Sequence, residues 1–242
     1  MLSIIIPTLN EEKYLPLLLE SIKRQNYKDY EIIVADNNST DKTVKIAKQY
    51  GCKITKGGLP GPGRNEGAKI AKGELFLFLD ADVALPSGSL KKWLEECQRK
   101  RIDIATCLIK PQGKRSVRGS LIYSFYNSCI LMLKELDYPA GMSFMLIKKE
   151  IHKKIKGFDE SIKFGEDTDY LNRSSEFGKF SILKSRKILV SPRRFKNDGW
   201  LRTSLKYVWA NMYMFSKGPI PIKSKFLEYK FGHYKNNEKI FK

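Results

Sequence analysis

Histidine is nearly absent from this chain of 242 residues, with only His152 and His233. Histidine-built metal cages and a Ser-His-Asp triad therefore have little to rest on, and chemistry falls to carboxylates. The four cysteines, Cys52, Cys97, Cys107 and Cys129, show no CxxC spacing. That argues against a zinc site, and at this length against a disulfide framework. They read as reduced thiols of a cytosolic protein. Long apolar runs are also lacking. The stretch from Leu121 to Leu133 is broken by Ser124, Asn127 and Ser128, whereas a spanning helix needs about 20 apolar residues. The first residues, Met1 to Pro7, carry no basic region ahead of their short apolar run, unlike a signal peptide. Any membrane contact is expected to be peripheral. Acidic residues are few relative to basic ones, 26 against 45, leaving a net charge of +19. Such an excess attracts nucleic acid, lipid headgroups or phosphorylated substrates without choosing among them. Thermal adaptation or a Lys-rich genome is the plain alternative.

What is present is a β/α alternation. Ile4-Ile5-Ile6 is a short buried strand, followed by Leu15, Leu18, Leu19 and Ile22 at helical spacing. Residues 31–35 form a second strand. Ser39 or Thr40 can cap the next helix, which Gly51 ends. A weaker strand lies near 53–55, and a helix from about Arg64 to Lys72 stops at Gly73. Leu75-Phe76-Leu77-Phe78-Leu79 is apolar on both faces, as strands of a covered parallel sheet are. Further on the pattern predicts a helix through Leu90 to Cys97, a strand over 104–109 and a helix over 119–136. A strand over 143–147 and a helix over 166–177 follow. Leu201, Leu205, Val208, Met212 and Phe215 then mark one face of an amphipathic helix.

In open α/β sheets ligands sit beyond the carboxyl ends of the strands. Three polar clusters fall there: Pro7-Thr8-Leu9-Asn10, Asp36-Asn37-Asn38-Ser39 and Asp80-Ala81-Asp82. Two carboxylates at the mouth of a dry strand repel unless a cation is present, and hard divalent ions bridge carboxylates to substrate phosphates. Taken alone, Asp-x-Asp is better explained by a solvated turn; after a buried apolar strand and beside the other clusters, the metal reading is the stronger one. Asp36 can accept hydrogen bonds from a base or ribose, or help cap the following helix. Gly61-Pro62-Gly63-Arg64-Asn65 reads as a glycine-rich turn into a helix whose N-terminus favours phosphate; it lacks the P-loop pattern. In Glu166-Asp167-Thr168-Asp169 one carboxylate can serve as a general base, although acidic residues also suit a first helical turn. The basic runs over 110–118 and from Lys217 suit solvated faces, whereas Trp200, Tyr207, Trp209, Tyr213 and Phe226, interleaved with Lys206, Lys217, Lys223 and Lys225, suit an anionic membrane surface, with core packing explaining part of them.

Together these segments resemble the family 2 glycosyltransferases. The resemblance lies in residues 4–12, 34–41, 64–67, 73–82 and 165–169, and extends over residues 2 to about 195. It implies an α/β GT-A fold: a Rossmann-like, mostly parallel sheet flanked by helices in residues 1–195. A helical, basic and aromatic extension over 196–242 would pack on or beside it. It further implies an inverting, non-processive hexosyltransferase that uses a UDP- or GDP-linked sugar and Mg²⁺ or Mn²⁺. The donor side would comprise Pro7, Thr8, Asn10, Glu12, Asp36, Asn38, Arg64 and Asp80-Ala81-Asp82, with Asp82 on the metal and Asp80 toward the ribose. Gly141, Met142 and Glu166 would line the acceptor side. Asp167 matches the catalytic base, and Arg193 or Arg194 would reach the diphosphate. The acceptor would be a carbohydrate or lipid-linked hydroxyl, met by a cytoplasmic enzyme docked on an anionic membrane surface. Departures are clear. Asp36-Asn37-Asn38 stands where many members have Asp-Asp-Gly, and the QxxRW motif of processive synthases is missing, with Arg193-Arg194-Phe195 a partial echo. Two rival classes are a nucleotidyltransferase of similar fold, disfavoured by the lack of a Gly/Lys-rich loop after the first strand, and a nucleic-acid-binding protein, which leaves the acidic clusters unexplained. A degenerate, non-catalytic relative is disfavoured because Asp80, Asp82 and Asp167 are retained.

Overall fold

The computed structural model describes residues 1–113 and 117–224. Residues 114–116 of the basic run, and Lys225 and Phe226 of the tail, lie outside the described residues, as do the side chains of Tyr207 and Phe215.

The first half alternates β1 (Leu2–Thr8), α1 (Leu15–Lys23), β2 (Tyr30–Asp36), α2 (Thr43–Gln49), β3 (Lys53–Lys56), α3 (Pro60–Ile70) and β4 (Leu75–Leu79). These four strands are parallel, in the order β3-β2-β1-β4. Then come β5 (Val83–Ala84), α4 (Ser89–Lys100), β6 (Ile104–Pro111), α5 (Val117–Glu135), β7 (Phe144–Lys148) and α6 (Lys149–Lys154). The described chain ends with β8 (Ile162–Phe164), α7 (Glu166–Ser175), β9 (Phe180–Val190), α8 (Arg193–Asp198), α9 (Trp200–Lys217) and β10 (Ile220–Pro221). The main sheet continues past β4 as β7-β6-β9-β5. In it β7 runs antiparallel to both β4 and β6. The result is the mixed, mostly parallel sheet with helical cover that the motifs implied.

Strand residues alternate between two cores, as the period of two requires. Leu2, Ile4 and Ile6 of β1 with Leu77 and Leu79 of β4 join α1 and α4 on one face. Ile5, Phe76 and Phe78 face α3, α6 and α7 on the other. The α3 helix crosses β1 closely because Gly67 lies against Ile5, where a Cβ would collide with the Ile5 side chain.

Besides the short elements β5, α6, β8, α8 and β10, which the sequence pattern does not place, two elements differ from the sequence reading. Gly61-Pro62-Gly63 is not a turn before a helix but the first turn of α3, with Pro60 at its start. A proline there loses no hydrogen bond and presets the helical φ. The eleven-residue strand β9 was not foreseen, because Lys184, Arg186 and Lys187 break its apolar pattern. The buried carboxylate of Glu96 from α4 accepts bonds from the backbone N–H of Lys184 and Ser185 at the irregularity there. The amphipathic helix expected over 201–215 is present as α9; its stripe of Leu201, Leu205, Val208 and Met212 is exposed, and Thr203, Ala210 and Met214 are buried.

Candidate active site

Parallel β1, β2 and β4 end on one rim, and antiparallel β7 begins there. Topology alone therefore gathers the segments after Thr8, Asp36 and Leu79 with the segment before Phe144. Thr8 lies opposite Asp36 in the β1–β2 register, and its hydroxyl donates to Asp36 Oδ1 at 3.0 Å. Asp36 also accepts from the Ser39 N–H (2.8 Å) and Ser39 hydroxyl (2.6 Å), so it shapes its own loop. The loops after β1 and β2 are stitched together. Asn10 N–H donates to Ser39 Oγ, and Asn10 Oδ1 accepts from Thr40 N–H. Glu12 N–H donates to Asp41 Oδ2, while Glu12 Oε2 accepts from Lys42 N–H. Asn10 and Asn38 both adopt positive φ, 56° and 57°, which asparagine tolerates better than most residues. Asn38 is exposed and Pro7 is buried beside Gly63.

Two arginines organise the acidic groups. Arg64, projecting from α3, donates through Nη2 to Asp80 Oδ1 (2.8 Å) and through Nη1 to Glu166 Oε1 (3.0 Å). Its guanidinium lies 5.3 Å from the Phe158 ring centroid, and its buried Nε has no hydrogen-bond partner among the described residues. Arg193, at the start of α8, makes a two-point bridge to Glu11 at 2.7 and 2.6 Å. Its Nε lies 2.9 Å from Asp82 Oδ2. Both carboxylates raise the proton affinity of each arginine against the cost of burial. Asp80 and Asp82 thus have separate partners: Asp80 turns toward α3 and accepts the Ser143 hydroxyl at 2.7 Å, and Asp82 turns toward α8. Ala81 between them is buried in the core.

Gly165, at φ 87°, opens α7. Asp167 in its first turn has its pKa raised to about 7 by desolvation, then by the nearby Glu166 charge, with Arg64 opposing. Gly141 packs against Thr106 and Leu171, and Met142 against the larger core, so this pair sits on the β7 side of the rim with Ser143. Arg194 is half-buried next to Arg193.

Glu11 escaped the sequence reading, which chose its neighbour Glu12. Burial pushes the Glu11 carboxyl up, while the bridge to Arg193 pulls it down. Nothing in its local sequence marks it, because its partner Arg193 lies 182 residues away. Ser143 was read merely as the start of a strand. Among the described residues no cluster of three or more His, Cys, Asp or Glu can cage a metal ion.

The mixed, mostly parallel sheet with helical cover is the GT-A fold of solved glycosyltransferases. The Staphylococcus aureus TarS structure (residues 1–349, in complex with UDP-GlcNAc) matches with a TM-score of 0.65 at 26% identity, over 78% of this chain and 58% of that one. A Pyrobaculum calidifontis mannosyltransferase in complex with GDP-Man and Mn²⁺ shares the fold at TM-score 0.65 and 17% identity, over 86% of this chain and 64% of that one. The profile of glycosyl transferase family 2 matches residues 3–156, and the chain belongs to that family. It is 32% identical over 203 residues to the poly(ribitol-phosphate) beta-glucosyltransferase of Bacillus spizizenii, 78% of this chain and 31% of that protein. It is 34% identical over 208 residues to the GalNAc(5)-diNAcBac-PP-undecaprenol beta-1,3-glucosyltransferase of Campylobacter jejuni, 81% of this chain and 66% of that protein. The chain thus spans about a third of the length of its poly(ribitol-phosphate) relatives.

Proposed function

We propose that the chain transfers a sugar from a UDP- or GDP-linked donor to an acceptor hydroxyl with inversion, and that the acceptor is a carbohydrate or lipid-linked glycan. The carrying observation is the shared rim: Arg64 joins Asp80, on the donor side, to Glu166, which precedes Asp167. The relatives' substrates, poly(ribitol-phosphate) and an undecaprenol-linked glycan, support an acceptor of this kind. The UDP-GlcNAc of the S. aureus relative supports a uridine donor.

Thr8, Asp36 and the stitched Asn10, Glu12 and Asn38 loops frame the nucleoside, with Pro7 beneath. Arg64, whose buried Nε is unsatisfied, and Arg193 with Arg194 face the diphosphate. Asp82 with the donor's phosphates would hold Mg²⁺ or Mn²⁺, which would neutralise charge on the leaving diphosphate. Asp167 takes the proton of the acceptor hydroxyl as its oxygen attacks the anomeric carbon from the face opposite the diphosphate. Gly141, Met142 and Glu166 border the acceptor. Alignment of the two substrates supplies much of the rate. The enzyme would work at the cytosolic face of an anionic membrane.

Thermal-shift screening of UDP-, GDP- and TDP-sugars with and without Mn²⁺ tests the reading. Stabilisation that needs nucleotide and metal together is expected; none with any pair would refute it.

A further inference from the structure

The outer side of α9 carries Leu201, Leu205, Val208, Trp209 and Met212, all exposed, with Leu201 at 74% and Trp209 at 65%. At 3.6 residues per turn these five fall within roughly 100° of one another. Single exposed apolar side chains are ordinary, but a contiguous stripe marks an interaction surface. The α5 helix repeats the feature. Val117, Leu121, Phe125, Met132 and Leu136, just past its end, are exposed along one side, while Tyr123, Asn127 and Ile130 are buried. The two helices are linked through α8 by aromatic contacts. Tyr123 of α5 lies 6.1 Å from Phe195 of α8, and Phe195 stacks on Trp200 of α9 at 5.0 Å.

Charge accompanies this apolar surface. Residues 193–224 contain seven Lys and Arg against one Asp, and Arg202, Lys206 and Lys217 are exposed on α9 itself. We propose that the outer faces of α5 and α9 form a docking surface that lies in the interface of an anionic bilayer. Bulky apolar groups flanked by cations suit acyl chains below and acidic headgroups around them. A second copy of the chain fits less well, because its own +19 charge would oppose the encounter. No described helix is long and apolar enough to cross a membrane, so both helices lie in plane.

The surface also has a connection to the chemistry. On its inner side α9 places Met214 against Gly165, the residue that opens the α7 helix bearing Asp167. The β10 strand after α9 pairs with β8, just before Gly165. A bilayer holding α9 from outside therefore holds the segment that carries the proposed base from inside. The purpose of docking rests on the membrane-borne acceptor proposed above, but docking itself is measurable without acceptor.

The test is flotation of the full chain with phosphatidylcholine vesicles with and without phosphatidylglycerol. Wild type floats with the anionic vesicles at low salt, and less in high salt as screening grows. Combined Leu121→Ser, Phe125→Ser, Leu205→Ser, Trp209→Ser and Met212→Ser substitution lowers the bound fraction on the order of tenfold. The nucleotide-sugar thermal shift, which also reports folding, stays intact. Independently, brominated phosphatidylglycerol quenches the tryptophan emission of wild type, and Trp209→Phe removes most of that quenching. Equal flotation of the five-fold variant, or unquenched wild-type emission, overturns the proposal. So does a dimer in solution that the five-fold variant dissolves. Loss of nucleotide-sugar binding with flotation intact would remove the glycosyltransferase reading and leave the docking surface standing.

Discussion

Arg64 holds Glu166 across 102 residues of sequence, Nη1 to Oε1 at 3.0 Å, while its other terminal nitrogen holds Asp80. One guanidinium thus ties the end of β4 to the first turn of α7. It also sets the charge felt by Asp167, the neighbour of Glu166.

The first consequence is a pH dependence. Desolvation and the Glu166 charge raise the pKa of Asp167 to about 7, so the ionised form of this proposed base becomes available as pH rises through neutrality. The acid limb of kcat/KM reports that ionisation in the free enzyme. Glu166→Gln removes a carboxylate that raises it and moves the limb to lower pH. A limb that stays in place or moves up contradicts the assignment.

The same shift has a stability sign. An unfolded aspartate ionises near 3.8, and the folded one near 7, so the native state binds the extra proton between those values. Its contribution is present at low pH and is lost as pH rises through about 7. Asp167→Asn abolishes that loss, so the variant gains stability over wild type above neutrality. Urea unfolding at acid and alkaline pH measures the difference.

Glu11 and Arg193 form a buried two-point pair. Removing one partner of such a pair costs about 3–5 kcal/mol, because the other charge is left uncompensated. Glu11→Gln leaves Arg193 with Asp82 as its remaining carboxylate, so the denaturant midpoint falls by less than that full cost but by more than in Glu20→Gln, whose exposed pair with Arg24 contributes at most about 1 kcal/mol.

Gly165 has φ 87°, and a Cβ there would collide with Met214 Sδ. Gly165→Ala incurs about 1–2 kcal/mol of left-handed strain in addition to the clash. Calorimetry should show a melting temperature lowered by several degrees, on the scale of about 2–4 °C per kcal/mol for a chain of this size. Transfer activity falls with it, because the start of α7 moves.

The parallel half of the fold was legible because β1 and β4 are continuous apolar runs ended by polar clusters. The rim followed from strand ends pointing one way. What stayed hidden depends on long-range pairing. The β9 strand has an apolar pattern interrupted by lysines and is held by Glu96 from α4. Glu11 and Ser143 acquire roles only through Arg193 and Asp80. The α3 start was misread because Gly-Pro-Gly serves a helix N-terminus as well as a turn. The stripe of α9 was correctly seen as a stripe, but periodicity cannot say whether it faces protein or something outside it.

The central claim is that Asp167 moves the proton while the donor is held elsewhere, by Asp82 and the arginines. It is tested most directly by comparing wild type and Asp167→Asn for transfer and for Mn²⁺-dependent nucleotide-sugar binding in the same preparation. The account predicts unchanged donor binding and transfer lowered by about 10²–10⁴-fold, the usual contribution of a general base. Transfer by Asp167→Asn at the wild-type rate would contradict it.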